Sequence, residues 1–220
     1  MPQLPHDFQM MTKSRKKHTR FPKPVIGLIG GIGSGKSFVA KQFTKIGCAV
    51  VDGDELGHEV LKDPSVIAQL TRWWGREVLD SHGRVIRKWV AKKVFNSPSE
   101  LSRLQRLVHP QIALLRKKIM SKLAVDKKIK GVIFDSPLLL ESGLFKECDA
   151  IIFVNTLKKT RLLRLKKSRG WNAAEVARRE NFQMSLDKKK QFADYIVDND
   201  GDLAHCIGQV RDVLSRILVD

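Results

Sequence analysis

Val25-Ile26-Gly27-Leu28-Ile29-Gly30-Gly31-Ile32-Gly33-Ser34-Gly35-Lys36-Ser37-Phe38-Val39-Ala40-Lys41-Gln42-Phe43 decides the fold. Its first five residues form a short apolar run rich in β-branched side chains, the pattern of a buried strand. Gly30 to Ser37 then fits G-x-x-x-x-G-K-[ST], the phosphate-binding loop. From Ser37 onward apolar residues recur at helical spacing. Glycines let the backbone curl so that successive N–H groups point inward at phosphate oxygens. The following helix adds its positive N-terminal end. Lys36 is placed to reach the β- and γ-phosphates, and the Ser37 hydroxyl to ligate magnesium. Gly31, Ile32, Gly33, Ser34, Gly35, Lys36, Ser37 and Phe38 are therefore the expected nucleotide-binding set.

Working outward, four more short apolar runs follow: 49–52, 131–135, 149–154 and 195–198. Helical patterns separate them. This alternation implies right-handed βαβ crossovers and a five-stranded parallel sheet covered by helices on both faces. Asp52, Asp135 and Asp198 fall at carboxyl ends of strands, where open α/β sheets bind their ligands. The interval 54–130 is too long for one crossover helix and reads as a helical insertion. Ser97-Pro98-Ser99-Glu100 is a capping box with proline at the first helical position. Leu101, Leu104, Val108, Leu115 and Ile119 continue it, and Pro110 is expected to kink or divide the stretch. Trp73 and Trp74 are expected to pack the insertion. Leu203, Ile207, Val210, Leu214 and Ile217 mark a closing amphipathic helix.

The chain has 220 residues and a net charge of +18. Its length suits one α/β domain with a small insert. No apolar stretch approaches the roughly 18 residues that cross a membrane. Residues 1–22 lack apolar periodicity and a signal-type apolar core, so a disordered basic tail is expected there. Cys48, Cys148 and Cys206 are scattered, which points to reduced thiols in a cytoplasmic protein and away from disulfides or zinc. Residues 158–190 hold twelve Lys and Arg against Glu175, Glu180 and Asp187. Three readings fit that charge: solvated helix faces, a site for polyanionic small molecules, or nucleic-acid binding. No helicase-like or recombinase-like motif follows the loop, so nucleic acid is not the expected partner.

Among phosphate-loop proteins, a small-molecule kinase fits best. No N-K-x-D-like guanine signature is present. The second strand runs into Asp52-Gly53-Asp54, a carboxylate facing the loop. The basic block after the fourth strand lies where such kinases carry a lid.

At this point the chain resembles the dephospho-CoA kinase family over about residues 25–210. Gly27 to Ser37 matches that family's opening strand and loop. Val51-Asp-Gly-Asp54 is similar to its Ile-Asp-Ala-Asp motif, and His109-Pro-Gln-Ile112 to its His-Pro-x-Ile segment. Pro137-Leu-Leu-Leu-Glu141 resembles Pro-Leu-Leu-x-Glu, and Ala193-Asp-Tyr-Ile-Val-Asp-Asn199 resembles Ala-Asp-x-x-Ile-Asp-Asn. The resemblance implies ATP-dependent phosphorylation of the ribose 3′-hydroxyl of dephospho-CoA, with ATP and Mg2+ and without nucleic acid or membrane. It also implies a core (23–53, 131–157, 193–220), a substrate-binding helical insertion (about 54–130) and a helical lid (about 158–192). A monomer or weak homo-oligomer is expected. The rival readings are a nucleoside monophosphate kinase of the same fold and a basic nucleic-acid-dependent NTPase.

Three positions depart from the family pattern: Phe38 follows Ser37 where Thr is usual, Gly57-His58 stands for Ala-Arg, and Lys166-Lys-Ser-Arg169 replaces paired arginines. Lys36, Asp54 and Arg169 are the expected catalytic residues. Asp54 serves as base or orients the 3′-hydroxyl; the alternatives are a magnesium-shell carboxylate or a helix cap, and Asp52 could share the work. Asp135 suits a Walker-B-like place near magnesium. His58, Arg87 and His109 are expected on the substrate, and Asn199 on the adenine side. Arg161 and Arg164 lie one or two turns before Arg169, and either is an alternative to it.

Overall fold

The computed structural model describes residues 21–95 and 97–219. The expected tail at 1–22 lies outside the described residues except for Phe21 and Pro22. The chain divides into two compact units: Met1–Asp52 with Leu123–Asp220, and Gly53–Lys122.

The first unit is built on a parallel sheet of five strands: β1 (Val25–Gly30), β2 (Cys48–Asp52), β3 (Gly131–Asp135), β4 (Ala150–Asn155) and β5 (Tyr195–Asp198). Their spatial order is β2-β3-β1-β4-β5. All four pairings are parallel. The central strand β1 is buried at all six positions. That explains its continuous apolar run, since a strand covered on both faces has no need of alternation. One face packs α1 (Lys36–Lys45) and α9 (Leu203–Val219) through Ile26, Leu28, Val39, Phe43, Ile133, Val197 and Val210. Two carboxylates serve the strands. Asp149 Oδ2 accepts from Val25 N–H at 2.7 Å, and Asp194 Oδ2 from Ile151 N–H at 2.7 Å. Each satisfies a donor at the entry of a buried strand, where an unpaired N–H would be costly. The basic block after β4 forms α6 (Lys158–Arg169), α7 (Ala173–Glu180) and α8 (Leu186–Gln191).

The second unit holds α2 (Gly53–Val60), α3 (Pro64–Trp74), α4 (Arg87–Phe95) and most of α5 (Pro98–Val125). Asp63 caps α3, accepting from Ser65 N–H at 2.8 Å, with Pro64 at the first position. Val60, Val66, Leu70, Trp74, Val78 and Val90 form its core, with Leu104, Leu107, Val108, Ile112 and Leu115 packed against it. The tryptophans pack as expected, Trp74 against both Trp73 and Trp89.

Two local expectations are corrected. Pro110 does not divide its stretch: α5 runs 28 residues with proline inside it. The missing N–H removes one helical bond, while apolar side chains on both sides of Pro110 hold the helix to its core. The capping box is also rearranged. Glu100 N–H donates to Ser97 Oγ at 3.3 Å, but the Glu100 carboxylate accepts from Trp74 Nε1 at 2.9 Å. A buried indole N–H needs a partner, and this carboxylate supplies it.

Candidate active site

The loop between β1 and α1 turns through Gly33 (φ +78°) and Gly35 (φ +87°), both in the left-handed region. Side chains are excluded at both places for a second reason. A Cβ on Gly33 would stand 2.8 Å from Leu165, and one on Gly35 2.2 Å from Asn199 Nδ2. Gly35 is the N-cap of α1; among the described residues no side chain caps this helix, and its first turn carries no acidic residue. The amides and the positive helix end are thus left for an anion.

What holds the loop is a set of donors to its carbonyls. Ser34 O accepts from Asn199 Nδ2 at 2.8 Å, Thr156 Oγ1 at 3.0 Å and Arg164 Nη1 at 3.4 Å. Arg164 Nη2 also donates to Asn199 O at 2.7 Å, tying β5's end to α6. Ile32 O accepts from Arg161 Nη1 at 3.0 Å. In a trans peptide the N–H opposes the C=O. Pinning the carbonyls of Ile32 and Ser34 therefore aims the N–H groups of Gly33 and Gly35 the other way. Lys36 Nζ folds over the loop, donating to Gly30 O and Gly31 O, each at 3.2 Å. Ser37 Oγ donates to Asp135 Oδ2 at 3.1 Å, and Asp135 is buried at the end of β3.

Several expected residues take places that their motifs do not assign. Ser34 is buried, and its N–H closes a turn on Gly31 O at 3.1 Å. Phe38 packs against the core beneath α1, so only its backbone belongs to the site. The Asn199 side chain is spent on the loop, with its amide under Ser34. Arg161 is buried against the loop, whereas Arg169 is exposed at the end of α6. The Arg169 guanidinium lies 4.8 Å from the Trp171 ring, and Arg179 stacks on that ring at 4.1 Å. Gly170, at φ +68°, follows Arg169 directly.

In the Gly53–Lys122 unit, Asp54 is exposed in the first turn of α2. His58 of the same helix meets Arg87, the first residue of α4: Arg87 Nη1 stands 2.5 Å from His58 Nε2. A guanidinium only donates, so Nε2 is the acceptor and the ring proton is on Nδ1. That nitrogen faces Glu55 Oε2 at 3.5 Å. The two residues singled out for substrate are thus brought together, while His109 stands exposed on α5. Thr156 is a loop contact the sequence does not announce: a lone threonine after a strand carries no motif signal. Among the described residues no helix is long and apolar enough to cross a membrane.

Residues 24–205 match the dephospho-CoA kinase family. The chain belongs to that family. Its activity is ATP-dependent phosphorylation of dephospho-CoA at the ribose 3′-hydroxyl, giving CoA and ADP. The chain is 37% identical over 195 residues to a dephospho-CoA kinase of Syntrophotalea carbinolica, covering 88% of this chain and 92% of that one. It is 33% identical over 193 residues to the Thermobifida fusca dephospho-CoA kinase, covering 87% and 95%. Among solved structures, a Thermus thermophilus protein superposes with a TM-score of 0.77 at 28% identity, covering 88% of this chain and 97% of that one. The dephospho-CoA kinase of Campylobacter jejuni shares the fold, with a TM-score of 0.62 at 21% identity over 89% and 97% of the two chains.

Proposed function

We propose that the loop Gly31 to Phe38 holds the phosphates of ATP and that Lys36, Asp54 and Arg169 carry the transfer to dephospho-CoA. The carbonyl anchoring of the loop supports this reading most directly. Amides fixed in advance stabilise phosphate charge without reorganising during reaction. Lys36 exchanges its two loop carbonyls for the β- and γ-phosphate oxygens. The ribose 3′-oxygen attacks the γ-phosphorus as the bond to the β–γ bridging oxygen breaks, and ADP leaves with that oxygen. Asp54 takes the hydroxyl proton or orients the hydroxyl, as the carboxylate of a phosphoryl-transfer site does. Arg169 reaches the transferring group when the lid, α6 to α8, closes, and Gly170 provides the joint.

Ser37 and Asp135 fit magnesium. They offer hard oxygen donors 3.1 Å apart. Adjacent ligands of an octahedral ion with bonds of about 2.0–2.1 Å stand close to that spacing. Magnesium, when bound, neutralises charge on the β- and γ-phosphates. Arg87, His58 and His109 bind the acceptor's phosphates, with His58 orienting Arg87. Asn199 and Arg164 shape the adenine side by fixing the loop's far end. The oligomeric state proposed with this scheme is a monomer or weak homo-oligomer. The buried thiols Cys48, Cys148 and Cys206 suit a reducing, cytoplasmic setting. Burial pushes the Cys48 thiol up to about 11 and so keeps it protonated and inert, although the nearby Lys130 acts the other way.

Coupled ADP release tests the reading with dephospho-CoA, AMP, CMP and pantothenate as acceptors. Turnover is expected with dephospho-CoA alone. Faster turnover with AMP or CMP would replace it with the nucleoside monophosphate reading.

A further inference from the structure

Behind the phosphate loop stand four charged side chains that the transfer scheme does not use: Arg161 and Glu180, and beyond them Lys189 and Glu141. Arg161 is 3% exposed. Its Nη1 donates both to Ile32 O, at 3.0 Å, and to Glu180 Oε1 at the end of α7. The guanidinium lies against Gly31 so closely that a Cβ there would stand 2.7 Å from Nη1. Lys189 is 2% exposed in α8; it donates to Gln183 Oε1 at 2.9 Å and lies 3.5 Å from Glu141 Oε1. Glu141 in turn accepts from Met184 N–H at 2.7 Å. Burial lowers the Lys189 pKa, while Glu141 and Glu180 both act to keep it charged.

A charge buried without a partner is expensive, so pairs like these persist only where geometry holds them. Arg161 is an arginine that meets two acceptors in different directions, one of them a loop carbonyl. The planar guanidinium fixes the directions of the two Nη1 N–H bonds, whereas the donors of a lysine ammonium rotate on a flexible stem.

The geometry points to Glu180 and Arg161 as a positioning pair for the nucleotide. Glu180 holds the guanidinium, the guanidinium holds Ile32 O, and the Ile32–Gly33 peptide thereby aims the Gly33 N–H at phosphate. Neither side chain touches ATP. This rests on the kinase reading, and it removes Arg161 from the arginines that reach the transferring group.

Glu180→Gln keeps shape and an acceptor oxygen but removes the charge; Arg161→Lys keeps the charge but loses the fork. Each is expected to weaken ADP binding, measured calorimetrically, about tenfold, the worth of one charge-assisted hydrogen bond. KM for ATP should rise in parallel, with kcat and the KM for dephospho-CoA changed less than about threefold. The double variant should be no weaker than either single one, because both break the same link. A fall in melting temperature with unchanged ADP affinity would make the pair merely structural and overturn the proposal, as would additive losses in the double variant. Should Arg161→Lys fail to fold, Glu180→Gln alone decides, by the same affinity. ADP binding is read without any acceptor, so an error about dephospho-CoA leaves this test intact.

Discussion

Around the phosphate loop, Thr156, Arg161, Arg164 and Asn199 are buried or half-buried and donate to backbone carbonyls. In the Gly53–Lys122 unit, Asp54, Arg87 and His109 are exposed on helices, and Arg87 meets the half-buried ring of His58. The first region spends its side chains on aiming the main chain. The second keeps its side chains at the surface, where the proposed acceptor would meet them. Backbone amides of fixed direction suit the proposed triphosphate site, and such amides need anchoring from behind. An acceptor carrying a diphosphate can be held by long cationic side chains that settle when it arrives, at a cost in side-chain entropy.

Five substitutions strain that contrast, beginning with the most severe. Lys36→Ala should abolish turnover while the melting temperature holds, because the lysine serves phosphates and no core residue depends on it. Near-normal kcat in the folded variant would break the donor-site half of the comparison. Asp54→Asn should lower kcat by about 10²–10⁴-fold, the usual worth of a positioned acid–base group. If instead kcat holds and only the magnesium dependence shifts, Asp54 belongs to the metal shell.

Arg169→Ala comes next, with an expected loss of about 10²–10³-fold in kcat and little change in ADP affinity. It opposes Arg161→Lys directly: one arginine of α6 should govern kcat and the other binding. Equal effects on the same parameter would erase the distinction drawn from their burial. Arg87→Ala is milder: it should raise the KM for dephospho-CoA about tenfold and leave the KM for ATP alone, as for one lost charged hydrogen bond. A change in the ATP parameter instead would show that the second unit serves the donor. His58→Ala should reproduce part of the Arg87 effect, since it removes the ring that orients the guanidinium.

Much of the fold was legible because its strands obey a local rule. A strand buried on both faces has no need of polar alternation, and 131–135 reads as such a strand; 195–198, at the sheet edge, reads from its β-rich Tyr-Ile-Val, and both have the bounds later observed. The loop was legible because Gly33 and Gly35 answer a backbone demand that no other residue meets cheaply. Pro110 misled, since its local cost is real but smaller than the packing of α5 on either side. Lys189 was hidden among Lys188 and Lys190: three lysines in a row look alike until one is turned inward by Leu186 and Phe192 at helical spacing.

Through residue type and spacing, the sequence by itself determined the phosphate loop, the five parallel strands, the helical insertion and the excess of positive charge on 158–190. Only the tertiary structure decided which of those charges are buried against the phosphate loop. Arg161 and Arg169 sit on one helix in one basic block, yet one is buried under Ile32 and the other is exposed on Trp171. Spacing settles which residues share a helix face. What that face meets depends on groups far along the chain, here a glycine at 31 and a carboxylate at 180, and their distance from Arg161 is set by folding alone.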